Sequence, residues 1–344
     1  MTRKDRLKVM IAGIGGASLG TEILKCLALA GHYDIFGCDI SPTAYGLYDS
    51  SFTRTFLIDR ENYIASVMSA CHEAGVQWLI PGGEQPMVLL GAATNELRQA
   101  GITLVANHPD VIRTFSNKSS TFECLAKHGF RVPRTVEVSS DADPAAVGMP
   151  CIIKPSTGSG GSAMVFFAVD LHEAMTYADF IRRAGSSPLA QEYIPADEGE
   201  FTVGVLSLPD GEVVGSIALR RSFDAKLSVL TRGRGGLVSS GYSQGYIGNF
   251  PAIRKQAEEI AVAVGSRSAL NIQGRTQNGV LIPFEINPRF SASTYLRAMA
   301  GFNEVDILLR RLAFNEPAMP GSLREGWYLR SLTERYVPAG EVKS

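Results

Sequence analysis

The chain has 344 residues, enough for two or three domains with cores of their own. Its 33 Lys and Arg against 34 Asp and Glu give a net charge of −1, so no field of one sign attracts nucleic acid or a membrane surface. The five cysteines are scattered, which argues against a disulfide framework or structural zinc and fits a reducing cytosol. No apolar run approaches the roughly 18 residues of a membrane span, and the polar start carries no secretory signal, so we expect a cytoplasmic protein.

The first third of the chain alternates short apolar runs with segments of helical periodicity. This alternation is typical of a parallel, doubly wound sheet with helices on both faces. The predicted strands are 7–14, 33–40, 76–81 and 102–106, and the predicted helices are 22–30, 63–74 and 87–100.

A glycine-rich turn, Gly13–Gly20, joins the first predicted strand to the first helix. With Asp39 at the end of the second strand, it has the outline of a dinucleotide-binding turn, although its spacing differs from G-x-G-x-x-G. The sequence therefore leaves open an NAD(P)-dependent oxidoreductase. The other interpretation is a tight strand-to-helix turn whose amides are available to any anion.

Two lysines in the next region indicate phosphate binding. Lys118 follows Asn117, a predicted helix cap, and a cation at a helix N-terminus is unfavourable unless it holds an anion. Lys154 ends an apolar strand and precedes a loop of glycine and serine, whose amides and hydroxyls can wrap phosphates. A plain surface lysine and a flexible hairpin are the alternatives. The loop residues are Gly158, Ser159, Gly160, Gly161 and Ser162.

A predicted strand at 188–191 enters a linker at 192–195, whose backbone groups are suited to reading an adenine edge beside an apolar wall. Glu192 and Glu200 carry acceptors for an amino group and for ribose hydroxyls, although either could be a surface residue. Next along the chain come a predicted hairpin over 203–219, the pair Arg220 and Arg221, and a predicted mobile basic loop over 231–236.

The clearest chemistry lies on a later hairpin. Glu285 and Asn287 are two residues apart on a predicted strand, so their oxygens point to one side and can bind Mg²⁺. Arg289 has the same parity and could place its guanidinium beside phosphate oxygens. Gln273 lies on the partner strand, across a turn predicted at 277–279. A polar, exposed hairpin face is the alternative interpretation.

In their order along the chain, these motifs resemble the ATP-grasp superfamily, in the branch of biotin carboxylase and the large subunit of carbamoyl-phosphate synthase. The resemblance covers roughly Lys8 to Phe314. It implies an α/β fold that is α+β in its C-terminal half. The implied parts are a Rossmann-like preATP-grasp domain (1–115), an ATP-grasp lid subdomain (116–195), an antiparallel-sheet C-terminal subdomain (196–330) and a flexible tail (331–344).

The resemblance also implies which residues bind ATP. Lys118 and Lys154 would contact the phosphates, and the loop 158–162 would close over them. The adenine and ribose contacts would come from the linker and the strand after it: Glu192, Tyr193, Ile194 and Glu200.

For the chemistry, the resemblance implies a metal site and a set of cations. Mg²⁺, or Mn²⁺ in its place, would bind Glu285 and Asn287, with Gln273 standing where relatives place a glutamine or a glutamate. The residues implied in phosphoryl transfer are Arg289, Lys154 and Arg220, or Arg221 in place of Arg220.

The implied reaction joins a carboxylate to an amine. The carboxylate attacks the γ-phosphate to give an acyl phosphate and ADP, and the amine, often that of an amino acid, displaces phosphate. Positioning and charge neutralisation suffice for this chemistry. We expect small-molecule carboxylate and amine substrates, a homodimer, and no nucleic-acid or membrane partner; a non-catalytic nucleotide-binding protein is a further alternative. The substrate-facing candidates are Gly15, Gly16, Glu84, Arg232, Arg234, Ser291 and Ser293.

Overall fold

The computed structural model describes residues 6–156, 164–233 and 236–343. Its first region is a five-stranded parallel sheet in the order β3-β2-β1-β4-β5. The order in which strands are added along the chain reverses between β1 and β4. The doubly wound α/β prediction is therefore confirmed. The strands are β1 Leu7–Ala12, β2 Tyr33–Asp39, β3 Arg54–Leu57, β4 Trp78–Pro81 and β5 Thr103–Leu104, and the helices are α1 Leu19–Ala30, α2 Tyr63–Ala74, α3 Glu84–Ala92 and α4 Thr94–Gln99.

The glycine-rich turn packs the first helix tightly on the sheet. A Cβ at Gly20 would lie 1.9 Å from the carbonyl oxygen of Gly13, so only glycine fits there. The Asp39 carboxylate accepts hydrogen bonds from the amides of Ile14 at 2.8 Å and Ser41 at 2.9 Å. Both carboxylate oxygens are thus used by the backbone, which removes the acid that a dinucleotide-binding interpretation needs for a ribose.

Three elements of this region differ from the prediction. The single helix expected over 87–100 divides into α3 and α4, because Ala93 leaves helical geometry and Thr94 donates to the carbonyl of Gly91 at 2.7 Å. The short strand β3 and the helix α5, Pro109–Phe115, were not predicted. Each is too short to show a clear period.

The second region is a small antiparallel sheet in the order β6-β9-β7-β8, with two helices packed on it. The pairing of β7 with β8 confirms the predicted hairpin. The glycine–serine loop between these strands, Gly158–Ser162, lies outside the described residues. The elements are α6 Lys118–Lys127, β6 Thr135–Glu137, α7 Ala142–Val147, β7 Cys151–Pro155, β8 Phe166–Ala168, α8 Leu171–Arg183 and β9 Pro188–Glu192.

The third region is built on a six-stranded antiparallel sheet in the order β16-β15-β10-β11-β14-β17. A separate two-stranded hairpin, β12–β13, occupies the segment predicted as a mobile loop at 231–236, and that prediction is corrected. The elements are β10 Glu200–Ser207, β11 Val213–Arg221, β12 Val229–Gly233, β13 Gly236–Ser239, β14 Gly245–Ile247, α9 Pro251–Ala263, β15 Ala269–Gln277, β16 Val280–Asn287, α10 Thr294–Met299, α11 Glu304–Phe314 and β17 Gly326–Tyr328.

One hydrophobic core joins the first region to the third. Helix α1 packs against α10 and α11, and the shared core includes Ile23 and Leu27 on one side and Leu296, Val305 and Leu308 on the other. Burial of this apolar surface holds the first sheet beside the end of β16. The domain limits at 115, 195 and 330 stay a prediction, and each of the sheets lies within one predicted segment.

Residues at the two ends of the C-terminal segment contact the first region, although residues 331–336 are exposed. Arg330, just before it, forms an ion pair with Glu22 of α1 at 3.1 Å. Near its end, Lys343 donates from Nζ to the carbonyl of Thr55 at 2.7 Å, and its amide donates to the hydroxyl of Tyr48 at 2.9 Å. The partners of Lys343 lie almost 300 residues away in the chain, and the flexible tail over 331–344 stays a prediction.

The five cysteines are all free. A search of the described residues found no helix long and apolar enough to cross a bilayer.

Candidate functional site

A cleft of about 670 Å³ lies between the antiparallel sheet of the second region and the β15–β16 hairpin. Its lining combines apolar and charged side chains, which suits a flat apolar group with a charged extension. The apolar lining includes Ile152, Val165, Ile194, Leu237 and Phe284, and the charged lining is Lys118, Lys154, Glu192, Arg275 and Glu285.

Lys154 reaches the cleft from β7 and is 5% exposed. Its Nζ donates to Oε1 of Gln191 at 2.9 Å and to the carbonyl of Phe284 at 3.3 Å, and it lies 5.0 Å from the centre of the Phe122 ring. Burial and the neighbouring charge of Lys118 lower the pKa of Lys154 to about 7, although the charge of Glu285 acts to raise it. The ammonium group is thus held by neutral acceptors next to a like charge, an arrangement that an anion would stabilise.

Lys118 is the first residue of α6, as the sequence predicted. The Asn117 side chain caps this helix by accepting from the amide of Ser120 at 3.1 Å. The backbone amide of Lys118 donates to the carbonyl of Ser156 at 3.2 Å, which ties the start of α6 to the end of β7. Burial lowers the pKa of Lys118, while the charges of Glu285 and Glu84 raise it. Both lysines therefore belong to one charged cluster.

The β15–β16 hairpin places the predicted metal-binding residues on one face. Gln273 lies directly opposite Glu285 in the antiparallel register. Asn287 follows on the same face, and its Nδ2 donates to Oε1 of Glu285 at 3.3 Å. The turn contains Asn278 and Gly279 at φ 53° and 73°, the left-handed pair of a two-residue hairpin, as predicted. One carboxylate and two amide oxygens form a donor set that fits a hard divalent cation.

Arg289 lies beside the same residues. It donates from Nη1 to the carbonyl of Phe290 at 2.9 Å and from Nη2 to Oδ1 of Asn287 at 3.2 Å. Its Nε is buried and has no hydrogen-bond partner among the described residues. Burial lowers the pKa of Arg289, while Glu285 and Glu84 raise it. The guanidinium is thus oriented by the end of the strand.

The structure does not bring Arg220 to the cleft. Arg220 is exposed on β11 and pairs in register with Phe201. Arg221 points to the other face, where its 1% exposed side chain approaches Glu200 at 3.4 Å. Burial lowers the pKa of Arg221, and the charges of Glu200 and Glu285 raise it. Strand neighbours point to opposite faces, so these two arginines cannot share one role, and an assisting role for either of them stays a prediction.

Glu200, predicted to bind ribose, is fully buried between two arginines. Its carboxylate lies 2.8 Å from Nε of Arg275 and 3.4 Å from Nη1 of Arg221. It is absent from the lining of the cleft among the described residues. A ribose contact would require this ion-pair cluster to open, so the structure assigns Glu200 to the support of the cleft.

The linker residues Glu192, Tyr193 and Ile194 line the cleft, and their contact with an adenine stays a prediction. The carboxylate of Glu192 accepts from the amide and Nε of Arg134, at 3.1 and 3.3 Å. The carbonyl of Ile194 accepts from Nη1 of Arg275 at 2.6 Å, and its amide has no backbone partner in the described parts of the chain. The Ile194 amide thus offers a donor to a ligand acceptor. Tyr193 packs at 5.0 Å from the Arg275 guanidinium.

Of the substrate-facing candidates, Glu84 lies closest to this chemistry. It lines a smaller cavity of about 380 Å³ together with Lys118, Glu285 and Asn287. Gly15 and Gly16 line two other cavities. The hydroxyls of Ser291 and Ser293 lie 2.7 Å apart, hydrogen-bonded to each other and buried. Arg234 and the side chain of Arg232 are outside the described residues.

Sequence reasoning missed Arg275, Gln191 and Phe284, which all line the cleft. Arg275 could have been found, because it is two residues from Gln273 on the same strand and so faces the same way. No local signal pointed to Gln191 or Phe284, whose contacts with Lys154 come from tertiary packing.

Comparison with known proteins gave consistent matches. The ATP-grasp domain family matches residues 115–293. The carbamoyl phosphate synthase large chain of Halomonas eurihalina is 25% identical over 256 residues, which make up 71% of this chain and 22% of that protein. Beta-citrylglutamate synthase B of Danio rerio is 30% identical over 187 residues, 52% of this chain and 42% of that protein. The chain thus spans less than half the length of either relative.

Among solved structures, a similar fold is found in the biotin carboxylase domain of the Hydrogenobacter thermophilus 2-oxoglutarate carboxylase, a dimer in complex with MgADP, ADP and bicarbonate. The TM-score is 0.64 at 18% identity, and the match covers 89% of this chain and 69% of that chain. At this identity the likeness shows a shared fold.

Proposed function

Because the chain belongs to the ATP-grasp family, whose domain matches residues 115–293 of it, we propose that it is an ATP-dependent ligase that activates a small-molecule carboxylate as an acyl phosphate and couples it to an amine. The observation that carries this proposal is the convergence of Lys118, Lys154 and Arg289 on the Glu285–Asn287 strand end. Lys118 and Lys154 line the cleft with Glu285, and Lys118 also lines the smaller cavity with Glu285 and Asn287. The charge of Glu285 also acts on Arg289.

The charged groups of that site suit a polyanion. Burial and the charge of Lys118 lower the pKa of Lys154, so a phosphate beside it would stabilise its charged form. The apolar slot beside Ile194 would receive the base. The MgADP in the similar Hydrogenobacter thermophilus domain supports this choice of ligand.

Mg²⁺, or Mn²⁺, would be held by Glu285 and Asn287, with Gln273 opposite. When bound, a divalent cation neutralises phosphate charge during transfer. Gln273 is neutral, so the chain supplies a single carboxylate from these three residues. That donor set favours one firmly held cation.

The proposed reaction has two steps. A carboxylate oxygen attacks the γ-phosphorus as the bond to the β-phosphate oxygen breaks, giving an acyl phosphate and ADP. The amine nitrogen then attacks the acyl carbon, phosphate departs with the bridging oxygen, and the nitrogen loses a proton. Lys118, Lys154 and Arg289 would neutralise the charge on the transferred group. No side chain needs to form a covalent bond with the substrate.

The class of substrate is supported by one relative. Beta-citrylglutamate synthase B is named for a product that joins a carboxylic acid to an amino acid. We therefore propose a carboxylic acid and an amino acid or similar amine as substrates. The dimer of the Hydrogenobacter thermophilus domain is the basis for expecting a homodimer here.

The test is a screen for turnover. The protein is incubated with ATP, Mg²⁺ and pools of amino acids and small carboxylic acids, and phosphate release is followed while product masses are recorded. ADP formation that needs one acid and one amine, with an amide product, supports the proposal. ATP binding without ADP release in any mixture would instead indicate a non-catalytic nucleotide-binding protein. Lys154→Ala and Glu285→Ala serve as controls, because both should lose ADP formation while remaining folded.

A further inference from the structure

The guanidinium of Arg275 joins three segments that surround the cleft. Its Nε donates to Oε2 of Glu200 at 2.8 Å, its Nη1 to the carbonyl of Ile194 at 2.6 Å, and its Nη2 to the carbonyl of Leu237 at 2.8 Å. The plane also stacks at 5.0 Å on the Tyr193 ring. Every nitrogen of this side chain is therefore engaged, and two of the three acceptors are backbone groups at the wall of the cleft.

Strand β13 forms the opposite wall and depends on these contacts. Leu237, Val238 and Ser239 all line the cleft, yet β13 pairs with β12 and with neither larger sheet. The Leu237 carbonyl is bound by Arg275, and the Leu237 amide donates to the hydroxyl of Tyr193 at 3.0 Å. Both backbone groups of Leu237 are thus fastened to the linker and to β15.

The β12–β13 hairpin also contacts the second region. A Cβ at Gly236 would lie 2.4 Å from the Phe167 ring of β8, and that ring packs edge-on against Tyr193 at 4.8 Å. The hairpin is therefore held between β8 on one side and Arg275 on the other. A shift of the guanidinium would move the linker and β13 together, because it binds a carbonyl of each.

We propose that Arg275 is a positioning residue for the base of the nucleotide, holding the Ile194 linker and the Leu237 strand at the spacing of a flat ring. This inference rests on the proposed nucleotide site and adds a residue that determines its selectivity. Arg275 acts through the two backbone segments and takes no part in phosphoryl transfer. Glu200 fixes the orientation of the guanidinium, which explains why this acid is buried and does not face the ligand.

The experiment compares two probes, ATP and inorganic tripolyphosphate, each with Mg²⁺. Tripolyphosphate occupies the lysine end and has no base. In Arg275→Gln the dissociation constant for ATP should rise about tenfold or more, since charge-assisted hydrogen bonds to both walls are lost. The dissociation constant for tripolyphosphate should change less than about twofold. Lys154→Met should weaken both probes.

Two further variants keep the test decisive if Arg275→Gln is poorly folded. Arg275→Lys retains a charge for Glu200 but cannot bond to three acceptors, so its ATP affinity should fall between wild type and Arg275→Gln. Tyr193→Phe removes only the acceptor for the Leu237 amide. The double variant with Arg275→Lys should lose less free energy of ATP binding than the sum of the losses in the two single variants. Equal weakening of ATP and tripolyphosphate, or unchanged ATP affinity, would overturn the inference. Failure of the wild-type protein to bind ATP would instead refute the proposed function.

Discussion

The two ends of the cleft contain similar residues used in opposite ways. At the end formed by Lys118, Lys154 and Arg289, burial and the charge of Lys118 lower the pKa of Lys154 to about 7. At the end formed by Arg275 and Arg221, the guanidinium groups surround Glu200 and bind backbone carbonyls. The first set carries charge that a ligand would neutralise, whereas the second set stabilises the wall.

The largest expected effect is at the phosphate end. Glu285→Ala removes the one carboxylate of the Gln273–Glu285–Asn287 set, so the divalent cation loses its charged ligand. Turnover, once substrates are known, should fall by about a thousandfold or more while the melting temperature stays close to wild type. Phosphate release at saturating ATP measures this change. The matched control is Glu259→Ala, an exposed glutamate on α9, and a similar loss in the control would show that the effect is not specific to the cleft.

At the other end, the same kind of substitution should act on stability. Glu200→Gln leaves Arg275 and Arg221 without a buried counter-charge, and breaking a buried pair in this way costs about 3–5 kcal/mol in the free energy of unfolding. Urea unfolding followed by far-UV circular dichroism measures it. Glu285→Ala, at the phosphate end, is the variant for comparison. Its free energy of unfolding should fall by much less. Equal losses in both variants would remove the distinction between the two ends.

The pH dependence of ATP binding should reveal Lys154. Because burial lowers its pKa to about 7, the side chain is charged below that pH and loses its proton above it, in the free protein. The dissociation constant for MgATP should therefore rise about tenfold between pH 7 and pH 8.5. In Lys154→Arg the cation keeps its proton over this range, and the rise should disappear. A rise of the same size in that variant would assign the titration to another group or to ATP itself.

The same shift makes a prediction for stability. The folded pKa of Lys154 lies below its unfolded value of 10.5, so the unfolded chain binds more protons between pH 7 and that value. This residue therefore lowers stability most at or below pH 7, and its penalty decreases as the pH rises. Lys154→Met should be at least as stable as wild type at pH 7 in thermal unfolding. A marked loss of stability in that variant would mean that the ammonium group is a structural partner rather than a group reserved for a ligand.

How far the sequence could predict this site depends on whether the signal is local. Glu285 and Asn287 were predictable together because residues two apart on a strand share a face. The register set by the Asn278–Gly279 turn alone would put Gln273 opposite Phe284, and a bulge beside Gln273, which the sequence did not reveal, puts it opposite Glu285 instead. Lys118 and Lys154 were singled out by their unfavourable local settings. Their convergence is set by a hydrogen bond from the Lys118 amide to Ser156, which no periodicity reveals.

The base end could not be predicted in the same way. The partners of Arg275 lie between 38 and 81 residues away in three different segments. The hairpin β12–β13 that covers the cleft is short, glycine-rich and polar, so its sequence has the pattern of a loop. Its strands are held by contacts to Arg275, Tyr193 and Phe167, and such tertiary contacts override weak local preference.

The smallest expected effect tests the choice between two adjacent arginines. Arg220→Ala alters an exposed side chain on the outer face of β11, so ATP affinity and turnover should stay within about twofold of wild type and the free energy of unfolding within about 0.5 kcal/mol. Arg221→Ala removes a buried partner of Glu200 that also donates to the carbonyls of Ser240 and Tyr242, at 2.8 and 3.1 Å, and should be clearly destabilised. Urea unfolding and MgATP titration of the two variants, side by side, decide the matter. A large loss of activity in Arg220→Ala with normal stability would return this residue to the phosphoryl-transfer role that the sequence suggested.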